Sequence, residues 1–195
     1  MACNDFKVYE RRRVMGRRVD TAIMVMIDGS LSMAGHPFVV ARQSGLAMAL
    51  ALEEFPGVKL GALVFGGDRW QIARVVRFGE SVRRTAGRFG QIRAGGSTPL
   101  AEALMVAHAD LLQVDAERHI AAVVFDGQPD DVPAVHEMVD FGAARGIEHV
   151  GIGIGAAAQP AQFFRSSRTI ESVDELPRTM LDLARDRLVA LRPTA

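Results

Sequence analysis

The chain has 195 residues, 49% hydrophobic and 24% charged, enough for one ordinary domain with a sizeable core. Its 23 Lys and Arg balance 23 Asp and Glu, which disfavours a globally basic nucleic-acid binder and an acidic disordered tail. The single cysteine, Cys3, excludes an internal disulfide framework and any multi-cysteine metal site, and 6% aromatics argue against a stacking platform for single-stranded nucleic acid.

Residues 1–20 are polar and basic, with Lys7, Arg11, Arg12, Arg13, Arg17 and Arg18 against Asp5, Glu10 and Asp20. They read as a solvated basic arm or an edge hairpin, or more sharply as a docking patch for an acidic partner. The leading MACNDFKVYERRR has no apolar stretch of the signal-peptide kind. The longest apolar run, Ala22 to Ile27, is far short of the ~20 residues that span a bilayer. The expectation is a cytoplasmic chain without membrane contact.

At Thr21 the pattern changes. TAIMVMID (21–28) predicts a strand buried on both faces and ending at a carboxylate. His36 and Pro37 then suit an N-cap and first helical residue, and 37–55 predicts a helix with Phe38, Ala41, Leu46, Ala49, Leu50 and Leu52 on its apolar faces. VKLGALVFGG (58–67) is a second strand. RVVRFGE (74–80) alternates and fits an edge strand, and 81–90 fits a short helix. After the AGGST loop (94–98), Pro99 opens a helix over 100–112. HIAAVVFD (119–126) is a third buried strand ending in a carboxylate. Residues 131–145 are helical up to Gly146, 147–155 a strand, 168–173 a short last strand, and 174–191 a closing helix.

Strands alternate with helices and no repeat or linker interrupts them. The expected fold is α/β: a Rossmann-like, doubly wound, mostly parallel six-stranded sheet with helices on both faces. One domain covers 21–191, followed by a tail at 192–195.

Ligands of open α/β sheets bind outside the carboxyl ends of the strands, where strand order reverses. Three polar clusters fall there: Asp28-Gly-Ser30-Leu-Ser32, Gly95-Gly-Ser-Thr98 and Asp126-Gly127. In an extended segment, Asp28, Ser30 and Ser32 at spacing two face one way. Two hydroxyls and a carboxylate suit a hard cation, to which Thr98 can add a hydroxyl and Asp126 a second carboxylate. The histidines at 36, 108, 119, 136 and 149 form no zinc pattern. Blander roles exist for each residue: Asp28 and Asp126 can cap the turns that follow, Thr98 can cap its helix, and Asp130 and Asp131 can sit at a helix start. His108 and His136 read as surface or packing residues, and Met24, Met26, Met33, Met48 and Met105 as core filling. Gly151-x-Gly153-x-Gly155 lacks the spacing of a dinucleotide loop.

D-x-S-x-S-M at 28–33, Thr98 before a helix and Asp-Gly at 126–127 resemble the metal-ion-dependent adhesion site of von Willebrand factor A domains. RRRVMGRRVDTA, GGSTPLAEAL, FDGQPDD and GIEHVGIGIG are most similar to the subfamily at the C-terminus of the cobalt-chelatase CobT subunit and its stand-alone bacterial relatives. Together with the alternation of strands and helices, the resemblance implies the strand order 3-2-1-4-5-6, with 74–80 as the antiparallel edge. The chain departs from that subfamily at Leu31, where Gly is usual, and at Phe125, where Thr is usual. The resemblance implies a metal site of Asp28, Ser30, Ser32, Thr98 and Asp126 holding Mg2+ (or Mn2+ or Ca2+). The hydroxyls would bind directly and the carboxylates would hold coordinated waters. It also implies a non-catalytic module that binds a partner's Asp or Glu side chain, working with an AAA+ ATPase of the MoxR or chelatase type or with its client. A magnesium-dependent phosphoryl-transfer enzyme is the rival reading. Against it, the chain has no Walker loop and only two lysines, Lys7 and Lys59. A metal-free scaffold is the third.

Overall fold

The structure, a computed structural model, describes residues 20–68 and 71–189. The basic arm before Asp20, Cys3 and the tail at 192–195 lie outside those residues.

Six strands form one sheet: β1 (Thr21–Asp28), β2 (Val58–Phe65), β3 (Ile72–Val76), β4 (Arg118–Phe125), β5 (Ile147–Ile154) and β6 (Ser166–Ile170). Their spatial order is β3-β2-β1-β4-β5-β6. Every neighbouring pair is parallel except β2 with β3, so the expected order and the antiparallel edge both hold. β3 begins two residues earlier than its sequence pattern suggests and stops at Val76.

β1 is buried along its whole length because helices cover both faces of the sheet. Ile23, Val25 and Ile27 point into one core with α1 (His36–Glu53), α2 (Val82–Gln91) and α5 (Leu176–Val189). Ala22, Met24 and Met26 point into the other, with α3 (Leu100–Leu111) and α4 (Val132–Ala143). This alternation is the period-two geometry of a strand read on both faces at once. Met105 is the exception among the methionines expected in the core: it is exposed on α3.

Gly151 and Gly153 on β5 serve packing. A Cβ on Gly151 would lie 2.3 Å from the Phe164 ring, and one on Gly153 2.5 Å from Pro160. Their absent side chains make room for the segment that follows β5. No helix among the described residues is long and apolar enough to cross a membrane.

Candidate metal centre

β1 lies between β2 and β4 in the middle of the sheet. The chain leaves β1 towards β2 on one side and later enters β4 on the other, so the carboxyl ends of β1 and β4 flank the point where strand order reverses. Asp28 is the last residue of β1, and Asp126 directly follows β4.

The segment after Asp28 is not extended throughout, as its spacing suggested. Ser30 has extended backbone, and Leu31–Met33 form a single 3-10 turn. The turn still gathers the polar groups. The Ser30 amide donates to Asp28 Oδ1 at 2.7 Å. Ser32 Oγ donates to Asp126 Oδ1 at 2.7 Å, and Ser30 Oγ lies 3.0 Å from Ser32 Oγ. The Ser32 proton is committed to a carboxylate that only accepts, so Ser30 donates to Ser32. The relay Ser30 to Ser32 to Asp126 leaves the Ser30 oxygen with its lone pairs unused by these bonds.

Asp28 is fully buried, and its Oδ2 has no hydrogen-bond partner. Burial pushes this carboxyl up to about 7; the Ser30 contacts pull it down, and the charge of Asp126 pushes it up. A buried carboxylate with one oxygen unsatisfied is costly unless a cation or proton completes it. Among the described residues no group of three His, Cys, Asp or Glu side chains forms a metal cluster. A cation at this place would therefore depend on hydroxyls, which is the donor chemistry that Ser30 and Ser32 offer. The residues fit a hard, oxygen-seeking ion.

Thr98 arrives on a separate loop. Leu31 N–H donates to the Gly96 carbonyl at 2.9 Å, and Gly95 N–H to the Gly29 carbonyl at 3.0 Å, so the 94–98 loop is laced to the turn after β1. The Gly96 amide reaches the Gly66 carbonyl at 2.7 Å. Gly66 has φ +77, and a Cβ there would lie 2.4 Å from the Ser97 carbonyl oxygen and 2.9 Å from the Ser30 nitrogen. Only glycine permits this approach. Thr98 itself is buried and does not cap α3; Pro99 occupies that position, with no side-chain cap. The structure thus joins Asp28, Ser30, Ser32 and Asp126 through hydrogen bonds and brings Thr98 alongside through its backbone.

Two features escaped the sequence. Asp130 does not serve a helix start; its carboxylate accepts the Thr98 amide at 3.0 Å, while Asp131 caps α4 by accepting from Ala134 N–H at 2.9 Å. His108 of α3 and His149 of β5 are both buried, with their Nε2 atoms 2.9 Å apart. A helical period marks His108 only as inward-facing, and nothing local announces its partner 41 residues away. Of the two departures from the subfamily pattern, Leu31 is 67% exposed beside the site, and Phe125 is wholly buried against Phe163 and Phe164.

The fold and this crevice define an open α/β-sheet protein with an oxygen-rich site at the carboxyl ends of its central strands. The von Willebrand factor type A domain family matches residues 22–167, and the chain belongs to that family. No curated protein sequence matches it. Among solved structures it is similar to a von Willebrand factor type A protein from Catenulispora acidiphila, at TM-score 0.71 and 14% identity over 85% of this chain and 42% of that one. It is similar to proximal thread matrix protein 1 from the mussel byssus, whose structure has a zinc-occupied MIDAS motif, at TM-score 0.70 and 15% identity over 87% of this chain and 46% of that one. The VWA domain of SpRpn10 matches at TM-score 0.67 and 14% identity, over 85% of this chain and 95% of that one. The chain thus spans less than half the length of the first two. At these identities the likeness is one of fold.

Proposed function

We propose that the chain is a metal-dependent protein-interaction module whose adhesion site is formed by Asp28, Ser30, Ser32, Thr98 and Asp126. The observation that carries this reading is the unsatisfied Oδ2 of buried Asp28, set beside two serine hydroxyls and a second carboxylate. Membership of the von Willebrand factor type A family supports it, because domains of this family serve as metal-dependent interaction modules. Ser30, Ser32 and Thr98 would hold a divalent cation, Mg2+ or alternatively Mn2+ or Ca2+, through neutral oxygens, while Asp28 and Asp126 would orient its coordinated waters. When bound there, the cation supplies an under-neutralised positive centre for a partner's Asp or Glu carboxylate.

The partner we favour is an AAA+ ATPase of the MoxR or chelatase type, or the client it remodels. This rests on the likeness of GGSTPLAEAL and FDGQPDD to the CobT subfamily. A non-catalytic role fits the disposition of charge. Lys59 lies at the opposite end of the sheet, where β2 begins, and pairs with Asp20 at 3.0 Å. It therefore stands away from Asp28 and Asp126, where a phosphoryl group would have to be held.

The test is capture from lysate by the full chain in Mg2+ and in EDTA, followed by titration of the recovered protein. Recovery should require metal, and one Glu→Gln or Asp→Asn change in the partner should abolish it. A partner that binds equally well in EDTA would leave the domain as a metal-free scaffold.

A further inference from the structure

The chain as a whole is neutral, but residues 71–93 are not. They carry Arg74, Arg77, Arg83, Arg84, Arg88 and Arg93 against the single acid Glu80. This segment forms β3 and α2, at the edge of the sheet. Among the described residues, no strand pairs with the outer edge of β3.

A groove of about 380 Å3 lies there, walled by Ile72, Ala73, Arg74 and Val75 on one side and by Arg88 and Gln91 on the other. The groove therefore lies between β3 and α2. Arg74 and Arg77 also line a second groove, of similar volume, with Phe78 and Asp110. Arg74, Arg83 and Arg88 are paired with Asp110, Glu54 and Glu80, and Arg88 also reaches the Val75 carbonyl at 3.5 Å. Arg77 is exposed, and its guanidinium makes no hydrogen bond among the described residues.

We propose that the outer edge of β3, with the arginine-lined groove beside it, binds an extended acidic segment of a partner protein by strand addition. Free backbone groups of the edge would supply main-chain hydrogen bonds, and Arg77, whose guanidinium has no hydrogen-bond partner among the described residues, would face the acidic side chains. Charge selects the occupant. Two β3 edges repel one another, so the arginines block self-pairing while admitting a negative strand. The chain's own residues 1–19 hold six basic side chains against two acidic ones and carry the wrong sign. The surface is separate from the metal centre and needs no cation.

Fluorescence anisotropy of the full chain with a labelled octapeptide alternating Glu and Val, in EDTA, tests this. The peptide should bind, weaken steeply with salt, and weaken about tenfold with Arg77→Glu, a variant whose folding is checked by thermal melting. The same peptide N-methylated at alternate amides keeps its charge but cannot add as a strand, and it should not bind. Four results would each overturn the proposal: no binding in EDTA, equal binding of the N-methylated peptide, no effect of Arg77→Glu in a folded protein, or tighter binding of labelled oligothymidylate than of the peptide.

Discussion

Thr98 and Asp130 hold each other by two hydrogen bonds. The Thr98 amide donates to Asp130 Oδ1 at 3.0 Å, and the Asp130 amide donates to the Thr98 carbonyl at 3.1 Å. The loop before α3 is thereby fastened to the loop after β4, and the fastening lies two residues beyond the Gly96 link to Leu31. Asp130→Ala removes the carboxylate and leaves the Thr98 amide without that acceptor. It should cost about 1–2 kcal/mol in denaturant unfolding, and metal affinity should drop roughly tenfold, as when a group supporting a ligand is lost. Asp130→Asn keeps an acceptor and should lose less of both. Unchanged metal affinity in Asp130→Ala would separate Thr98 from the site.

On the proposed reading, Asp28 trades stability for metal binding. Its carboxyl is buried, unsatisfied at Oδ2 and raised to about 7. Asp28→Asn keeps an acceptor for the Ser30 amide and removes the buried charge. In EDTA at pH 8 the variant should be more stable than the parent by about 1 kcal/mol. Added Mg2+ should raise the melting temperature of the parent only. Thermal melts of both proteins with and without Mg2+ check this; a variant less stable in EDTA would show that the carboxylate is structural.

The buried histidine pair gives the fold an acid limit. Burial holds His108 and His149 at about 4, below the ordinary 6.5, with the His149 ring and Arg145 pushing His108 the same way. One Nε2 donates to the other at 2.9 Å; protonating both rings would set two donors face to face. Between those pKa values the unfolded chain binds more protons than the folded one. The pair's contribution is therefore full above about 6.5 and lost progressively as pH falls toward 4. Asp28, raised in the fold, works in the opposite direction over an overlapping range. The measurement is best made in Asp28→Asn, whose denaturation midpoint should fall from pH 7 to pH 4.5. Adding His108→Gln should make that slope shallower; an identical slope would place its origin elsewhere.

The architecture is legible in the sequence because the fold is written in local patterns. Runs such as TAIMVMID are apolar on both faces, and only a sheet covered by helices on both sides accommodates them. Carboxylates at the ends of two such runs mark the switch point. The D-x-S-x-S spacing identifies residues that do meet, although a 3-10 turn, not an extended strand, brings them together. What the sequence hides is pairing across distance. Asp130 looks like a helix-start residue until the 94–98 loop is seen against it, and His108 looks like packing until β5 places His149 opposite. The basic run at 71–93 can be read from the sequence despite a net charge of zero, but only the fold places it at the edge of the sheet.

Isothermal titration calorimetry of the full chain with Mg2+ and Mn2+, alongside Asp28→Ala and Asp126→Ala, tests the central claim most directly. One binding site should appear in the parent protein, disappear in Asp28→Ala, and weaken at least about tenfold in Asp126→Ala, with all three proteins folded by circular dichroism. Binding of equal strength in the three proteins, or none in the parent, would contradict a metal-dependent adhesion site at the ends of β1 and β4.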